Sequence, residues 1–250
     1  MNEDFFLRSA LARRLYHECA AGLPIIDYHC HLPPGDLAED RSYRTLTDLW
    51  IAGDPYKHRA MRMAGVPEAL ITGTQASPRE RFDVWAATVP KTVGNPLHHW
   101  TALELARVFD IRAPLSPQTA DAVWEEANAK LRLPEYSARR LLGRFNVEAV
   151  CTSDGLLDDL AAHEMLAGLK GPFRVLPSLR GDDLLVREGG NAAARLRRLA
   201  ASTGVVIDSF EVFRGAVVSR LDAFEALGCR LADHALDTFD YVPTDSETAR

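Results

Sequence analysis

Apolar side chains along the first thirty residues follow a helical spacing and then a strand. From Leu7 to Cys19 an apolar residue recurs every four positions, which predicts an amphipathic helix over residues 4–21. Gly22 ends that pattern. The segment 24–31 follows, and two consecutive isoleucines near its start predict a buried strand. The chain therefore opens with a helix and a strand.

The next convincing buried strand comes more than one hundred residues later, at 147–152. Such a gap is too long for a simple crossover helix. We interpret residues 35–145 as an inserted helical subdomain that forms a lid over the mouth of a barrel. Tryptophan side chains are expected to build the core of this subdomain. Helix starts are predicted where a capping side chain precedes a proline or an apolar run, at Asn95, Ser116 and Ser137. The predicted core tryptophans are Trp50, Trp85 and Trp124.

From residue 147 onward, strand and helix patterns alternate, which predicts a parallel α/β sheet. The strands are expected at 24–31, 147–152, 173–179 and 229–233. The intervening helices are expected to carry Leu156, Leu160 and Leu169, then to cover 192–201, and then to run from Asp208, in capping-box spacing with Glu211, to Gly228. Four strands are half of an eight-stranded barrel.

The predicted fold is thus α/β, a partial (β/α)8 TIM-type barrel of about four of eight strands, with a helical subdomain inserted after strand 1. Residues 24–34 and 146–250 are assigned to the barrel. The tail at 243–250 is polar and shows no strand pattern. An open half-barrel would expose a strand edge and apolar helix faces. The expectation is therefore that 1–250 form the N-terminal portion of a longer barrel, or that a partner supplies the rest.

Candidate metal-binding residues lie at the end of the first strand, in the run His29-Cys30-His31. Alternation along a strand places both histidines on one face and Cys30 on the other. Pro33 and Pro34 end the strand there, at the mouth where parallel barrels carry their active sites. Two neutral imidazoles suit a divalent metal. The alternative is a pair of ordinary histidines on a half-exposed strand.

Several segments together resemble one known family. The run DYHCHL is similar to the metal motif of the uronate (glucuronate) isomerase family, within the amidohydrolase superfamily. Six further segments agree in the family's order. They are DPYKHRAMRMAGV (54–66), ITG (71–73), NPLHHWTALEL (95–105), CTSDGLLDDL (151–160), VLPSLRGDD (175–183) and GCRLADHALD (228–237).

The resemblance implies aldose-ketose isomerisation of hexuronates and a divalent metal, with zinc expected. It assigns His29 and His31 as metal ligands together with an aspartate of the last barrel strand, which would lie beyond residue 250. It places Tyr56 in a lid loop, hydrogen-bonded to sugar hydroxyls near the transferred proton. The chain departs from the family at Pro55, where histidine is usual, and at His58, where an aromatic residue is usual.

The carboxylate of a uronate needs a cationic partner, and Arg180 matches the arginine of the family's P-x-x-R motif. A guanidinium at a strand end can bind a carboxylate through two parallel hydrogen bonds. The alternative is a solvated arginine. At the end of the fourth strand, strand parity separates Asp233 from His234 and favours His234 for the substrate pocket. His234 could equally be structural, as we expect of His17 and His163.

The amino-acid composition limits the classes of binding partner that the protein could have. The chain of 250 residues is 47% hydrophobic and 26% charged, with a net charge of −6 and 29 scattered basic residues. This balance argues against nucleic acid or an anionic membrane as the main partner. Four cysteines without a CxxC motif predict reduced, buried thiols and, with no signal-peptide pattern, a cytoplasmic location. Homo-oligomerisation is left open.

Two other functions compete with the isomerase. A metal-dependent hydrolase would share the His-x-His motif, because most of the superfamily hydrolyses its substrates. The NPLHHW and LADHALD segments favour the isomerase instead. A non-catalytic fragment that functions only in a complex would fit the small number of strands.

Overall fold

A computed structural model describes residues 4–184 and 192–235 of the chain. Four strands lie within these residues. They are β1 Ile25–Cys30, β2 Val147–Gly155, β3 Arg174–Arg180 and β4 Ala232–Asp233. The α-helices of the described residues are α1 Ala10–Arg14, α2 Pro34–Ala38, α3 Leu46–Trp50, α4 Pro55–Met63, α5 Glu68–Ile71, α6 Pro78–Thr88, α7 Pro96–Phe109, α8 Ala120–Leu131, α9 Ala138–Arg144, α10 Ala161–Gly168, α11 Ala192–Thr203 and α12 Phe210–Ala226.

The chain divides into two compact units. The helical unit contains the residues up to Leu23 together with Asp40–Arg144, and the sheet unit contains Pro24–Glu39 and the chain from Phe145 onward. The interpretation of 35–145 as a lid stays a prediction. In the part of the chain that the structure describes, no helix is both long and apolar enough to cross a membrane.

The helical unit is built around large apolar side chains. Phe82 and Trp85 of α6 are fully buried, and Trp50 and Trp124 pack against the same core, as predicted. Helix α6 begins with a capping box, in which Ser77 and Glu80 exchange side-chain and backbone hydrogen bonds. These bonds satisfy amide groups that the first helical turn leaves unpaired.

The predicted helix starts are largely confirmed. Asn95 caps α7 by accepting a hydrogen bond from the backbone N–H of Leu97. Ala138 opens α9 directly after Ser137, as expected, but the Ser137 hydroxyl has no hydrogen-bond partner among the described residues, so it does not act as the predicted cap. The start predicted at Ser116 is wrong, because the Thr119 hydroxyl binds the backbone of Ser116 in a turn and the helix begins only at Ala120.

The sheet unit contains one parallel sheet in the order β1-β2-β3-β4. This arrangement confirms the four predicted parallel strands. Strand β2 is the most deeply buried, with Val150 and Thr152 inaccessible. Its ladder with β3 continues through Gly155↔Arg180, so β2 is three residues longer than predicted. The last three residues of β2 are polar or glycine, so the apolar pattern did not predict them as strand, although their backbone groups pair with β3.

Other predictions in the sheet unit need correction. The two isoleucines of β1 are not buried, since Ile25 is 47% and Ile26 61% exposed. Among the described strands, β1 pairs only with β2 and therefore forms an edge. Strand β4 contains only the last two residues of the predicted 229–233. The predicted tail at 243–250 lies outside the described residues.

Two predicted helices of this unit begin elsewhere. Leu156 and Leu160 lie buried in the turn before α10, and Leu169 lies after it. Helix α12 is capped by the Ser209 hydroxyl, which accepts from the Val212 N–H, so the cap predicted at Asp208 is wrong. The predicted partner Glu211 instead pairs with Arg214, at 2.8 Å.

The end of α12 agrees with the sequence. Gly228 has a φ of 89°, the left-handed conformation that glycine adopts readily after a helix. Within the same helix, buried Arg220 donates to the backbone carbonyls of Leu156 and Asp158, at 2.9 and 2.7 Å. These bonds fasten the turn that follows β2.

The N-terminal stripe and the cysteines are more exposed than predicted. The helix expected over 4–21 consists of α1 and a π-helical segment, Leu15–Ala20, and Leu11 is 62% exposed. An interval of four exceeds the 3.6-residue period, so such a stripe turns around the helix axis.

Of the four cysteines, only Cys151 is buried, and Cys19 is exposed. Burial raises the pKa of the half-buried Cys30 thiol to about 11.

A cluster of buried polar side chains joins strand β2 to helix α10. The Thr152 hydroxyl donates to Asp154 at 2.7 Å and lies 3.0 Å from His163 Nε2, and all three side chains are buried. Nε2 therefore carries the proton, while Nδ1 has no hydrogen-bond partner among the described residues. Burial lowers the pKa of His163 and raises that of Asp154, because each loses hydration of its charged form.

We expect His163 to make the protein less stable in mild acid. The unfolded chain protonates this histidine near pH 6.5, whereas the folded chain does so only at lower pH, so the free energy of unfolding falls as pH drops below about 6.5. The slope from one such group is at most about 1.4 kcal/mol per pH unit. Asp154 has the opposite sign, because its raised pKa favours the folded state as it takes up a proton.

Urea titrations between pH 7 and pH 5.5 measure this slope. The variant His163→Gln keeps an amide donor in place of Nε2–H and should flatten the decline. The variant His17→Gln is the control, since His17 is exposed and lies 2.8 Å from Asp4. An equal slope in wild type and His163→Gln would show that His163 is not the group responsible.

Candidate functional site

The two histidines of the first strand lie together. Their ring centroids are 5.0 Å apart and the rings are nearly perpendicular. The predicted proximity of His29 and His31 is therefore confirmed, although the pairing of β1 with β2 is irregular between Asp27 and Cys30. Both imidazoles lie at the carboxyl end of β1, where the resemblance places metal ligands.

Asp233 connects His29 to Arg180. Its Oδ2 atom lies 3.4 Å from His29 Nδ1 and 3.3 Å from Arg180 Nη2, and its Oδ1 atom lies 3.4 Å from Arg180 Nε. The hydrogen bond from Arg180 lowers the pKa of Asp233, and the same contact raises that of Arg180. The carboxylate is therefore ionised at neutral pH and joins residues of β1, β3 and β4.

This contact requires a curved sheet. Strands β1 and β4 are separated by two others, and at about 4.8 Å per strand a flat sheet would hold them roughly 14 Å apart. His29 and Asp233 nevertheless approach to 3.4 Å. Their side chains therefore converge on the concave side of the sheet, as they do inside a barrel.

His234 lies beside a different set of groups. It is exposed, its Nδ1 atom is 3.4 Å from Asp182 Oδ1, and its ring covers Gly181 so closely that a Cβ there would overlap it. Sequence reasoning preferred His234 to Asp233 on strand parity. Parity holds only within a regular strand, and β4 contains just two residues. A role for His234 in substrate binding stays a prediction.

A polar cavity of about 270 Å³ adjoins these residues. It is lined by charged and small side chains, among them His31, Ser153, Gly155, Arg180, Asp182 and Arg198. A larger cavity of about 490 Å³ lies between α11 and α12 and contains none of the predicted site residues. The smaller cavity is the better candidate because it combines a predicted metal ligand with two arginines.

The turns around this cavity are held by their own carboxylates. Asp158 Oδ2 accepts a hydrogen bond from the Gly155 N–H at 2.8 Å, and Asp183 Oδ2 accepts from the Leu157 N–H at 3.2 Å. A Cβ on Gly155 would lie 2.5 Å from the Asp183 carboxylate, so a larger residue there would displace that side chain. Arg198 pairs with Asp158 and Asp183 at 3.4 and 3.6 Å. Sequence reasoning missed Arg198, which no motif marks.

The donor set fits part of a metal site. Within residues 4–184 and 192–235, no three His, Cys, Asp or Glu side chains are arranged to hold a metal ion. His29 and His31 do offer two imidazoles. Asp233 beside His29 Nδ1 favours a proton on that atom and leaves Nε2 as the donor, an arrangement typical of metal-binding histidines. The chemistry of these residues suits a divalent metal that needs further ligands.

Tyr56 belongs to the helical unit and is not in a loop. It lies in the first turn of α4, behind the N-cap Asp54, and its ring is 60% exposed. The Arg59 guanidinium lies 6.0 Å from the centre of this ring. His58, where the family has an aromatic residue, binds the Ile51 carbonyl at 2.8 Å. The role of Tyr56 in catalysis stays a prediction.

Comparison with known proteins gives one consistent result. A model of the glucuronate isomerase family matches residues 1–250. Curated uronate isomerases of Salmonella paratyphi B and Salmonella typhimurium are each 44% identical over 249 residues, which is 99% of this chain and 53% of theirs. The chain thus spans about half the length of the curated relatives it matches.

Solved structures agree with the sequence comparison. Uronate isomerase from Thermotoga maritima superposes with a TM-score of 0.88 at 31% identity, and glucuronate isomerase from Caulobacter crescentus with 0.85 at 26%. Each match covers 94% of this chain and 51% of the solved one. The four-stranded sheet and its helices are therefore the corresponding part of a TIM-like barrel. Sequence, fold and strand-end residues lead to one assignment: the chain belongs to the glucuronate (uronate) isomerase family.

Proposed function

We propose that the chain provides strand-end residues of a uronate isomerase that interconverts D-glucuronate with D-fructuronate and D-galacturonate with D-tagaturonate. The observation that carries the proposal is the chain of contacts from His29 through Asp233 to Arg180. These contacts bring His29 and Arg180 to one end of the sheet, which supports a role for the first as a metal ligand and for the second as a cation for the uronate carboxylate. Membership of the family supports the same reaction.

The reaction needs few groups from the protein. A proton leaves C2 of the open-chain aldose, a cis-enediol forms, and a proton returns at C1, so no oxidant or reductant is consumed. The requirements are a base, a group that polarises the carbonyl and a clamp for the carboxylate. Because the substrate carries one negative charge, the clamp must be cationic.

Arg180 is the proposed clamp. Its contacts with Asp233 use Nε and Nη2, and none of the contacts seen in the described residues uses Nη1. The Nη1–Nη2 edge can therefore bind a second carboxylate through two parallel hydrogen bonds. Asp233 fixes the plane of the guanidinium and thus the direction of that edge.

His29 and His31 are the proposed metal ligands. A divalent metal bound there, for which we propose zinc, would polarise substrate oxygens near the reacting carbons. The neutral imidazoles provide its nitrogen donors, and Asp233 orients the ring of His29. Tyr56 is the proposed partner of the sugar hydroxyls, since a phenol can both donate and accept a hydrogen bond.

The test is a uronate isomerase assay in deuterated buffer. Because the relatives are about twice as long, it is run on the chain alone and on the chain together with the C-terminal half of the Salmonella protein. We expect ketose formation with solvent deuterium at C1, as an enediol that exchanges with solvent requires. Absence of conversion in both preparations, with folded protein and an active Salmonella enzyme beside them, would reject the function.

A further inference from the structure

Lys57, next to Tyr56, is an almost completely buried lysine. It is 4% exposed, and its ammonium lies 2.6 Å from Asp54 Oδ2 and 3.6 Å from Glu104 Oε2. The rings of Trp50 and Trp85 approach it to 5.1 and 6.0 Å. A buried charge is costly unless it is paired, and here two carboxylates and two indole faces surround it.

These groups are also bound to one another. The Trp50 indole N–H donates to the same Glu104 oxygen that faces the ammonium. Trp50 ends α3, Trp85 lies in α6 and Glu104 lies in α7. The ammonium therefore joins the start of α4 to three other helices of the helical unit. We call Lys57 and these four partners, Trp50, Asp54, Trp85 and Glu104, the lysine box.

Asp54 links the lysine box to the backbone of Tyr56. One carboxylate oxygen, Oδ1, accepts hydrogen bonds from the backbone N–H groups of Tyr56 and Lys57, at 2.8 and 3.0 Å. The other oxygen, Oδ2, receives the Lys57 ammonium. Burial, the largest single influence, would raise the pKa of Asp54, but the hydrogen bond and charge of the Lys57 ammonium, together with the backbone N–H groups of Lys57 and Tyr56, lower that pKa overall. The Asp54 carboxylate that caps α4 is therefore ionised, and the Lys57 ammonium holds it in place.

We infer that Lys57 is a positioning residue for Tyr56. Its ammonium holds the Asp54 carboxylate, the carboxylate holds the first turn of α4, and that turn fixes the point from which the exposed phenol extends. The inference rests on the proposed function of Tyr56. It explains why a charge is buried at this place, since replacing a buried ion pair with apolar residues often stabilises a protein.

The test compares Lys57→Met with Lys91→Met. Methionine fills much of the same volume without the charge, and Lys91 is an exposed lysine of the same unit. Hydrogen exchange of the Tyr56 and Lys57 amides should be faster in Lys57→Met by about tenfold or more, with α6 and α7 unchanged. Lys91→Met should exchange as wild type does. This measurement needs no enzymatic activity.

The second measurement is the isomerase rate in the active preparation. Misplacement of the phenol should lower kcat in Lys57→Met by between about tenfold and a hundredfold, with KM for the uronate little changed. Where Lys57→Met fails to fold, Asp54→Asn keeps an oxygen for the cap but presents an amide to the ammonium, and the same two effects are expected.

The outcomes separate the two proposals. Unchanged exchange at Tyr56 in both variants overturns the inference. Faster exchange with unchanged kcat, in a protein that Tyr56→Phe inactivates, overturns it as well. Faster exchange in a protein that Tyr56→Phe leaves fully active refutes the proposed role of Tyr56 and shows that Lys57 only anchors the helix.

Discussion

Replacing His29 or His31 with alanine, in the chain combined with the C-terminal half of the Salmonella relative, should remove most of the bound divalent metal and lower the isomerase rate in parallel. Each substitution deletes one of the two imidazoles that lie 5.0 Å apart at the end of β1. A lost ligand weakens metal affinity by more than about a hundredfold, because the remaining donors no longer complete the coordination. Metal analysis of the purified variants beside a uronate assay measures both effects.

Two further variants refine this experiment. Asp233→Asn keeps the shape of the side chain but weakens its hold on His29, so metal affinity should fall by only about tenfold. His17→Ala removes an exposed histidine of the helical unit and should change neither metal content nor rate. Full metal content in both His29→Ala and His31→Ala would show that the metal does not bind at this end of the sheet.

Arg180→Lys should weaken uronate binding almost as much as Arg180→Ala. Lysine keeps the positive charge but loses the planar fork, and with it the paired bonds to Asp233 and the bonds proposed for the substrate carboxylate. We expect a loss of about 2 kcal/mol or more in binding free energy. The loss should appear mainly in KM, and calorimetric titration with glucuronate measures it directly.

The matched control for Arg180 is Arg214→Lys, on the exposed face of α12. It replaces an arginine that also pairs with a carboxylate, but away from the cavity. Uronate affinity should stay at the wild-type value in this variant. If Arg180→Lys and Arg180→Ala bind as wild type does, the carboxylate is recognised by another residue.

Local sequence patterns predicted the strands and the proximity of the two histidines. His29 and His31 are two residues apart in a strand, and that spacing is enough to bring their rings together. Arg180 was placed at the end of β3 by the apolar run before it, as the structure confirms. Such features depend on neighbours in sequence.

Contacts between distant segments could not be predicted in the same way. Asp233 meets His29 only because the sheet curves, and no spacing within the chain encodes that approach. Arg198 reaches the cavity from a helix whose pattern shows only an amphipathic surface. Ile25 and Ile26 have the composition of a buried strand, but their exposure depends on which strands flank β1.

The pairing of Arg180 with Asp233 also bears on which anions the cavity accepts. With Asp182 at 3.7 Å and Asp233 at 3.3 Å, the guanidinium already faces two carboxylates before a ligand arrives. An incoming monoanion gains a cation whose orientation is fixed in advance, at the expense of repulsion from both acids. For a phosphate dianion both the attraction to the guanidinium and the repulsion from the two acids double, so its net repulsion from these three charges is also about twice that of a monoanion. The two acids beside Arg180 are therefore expected to favour a singly charged anion over a doubly charged one.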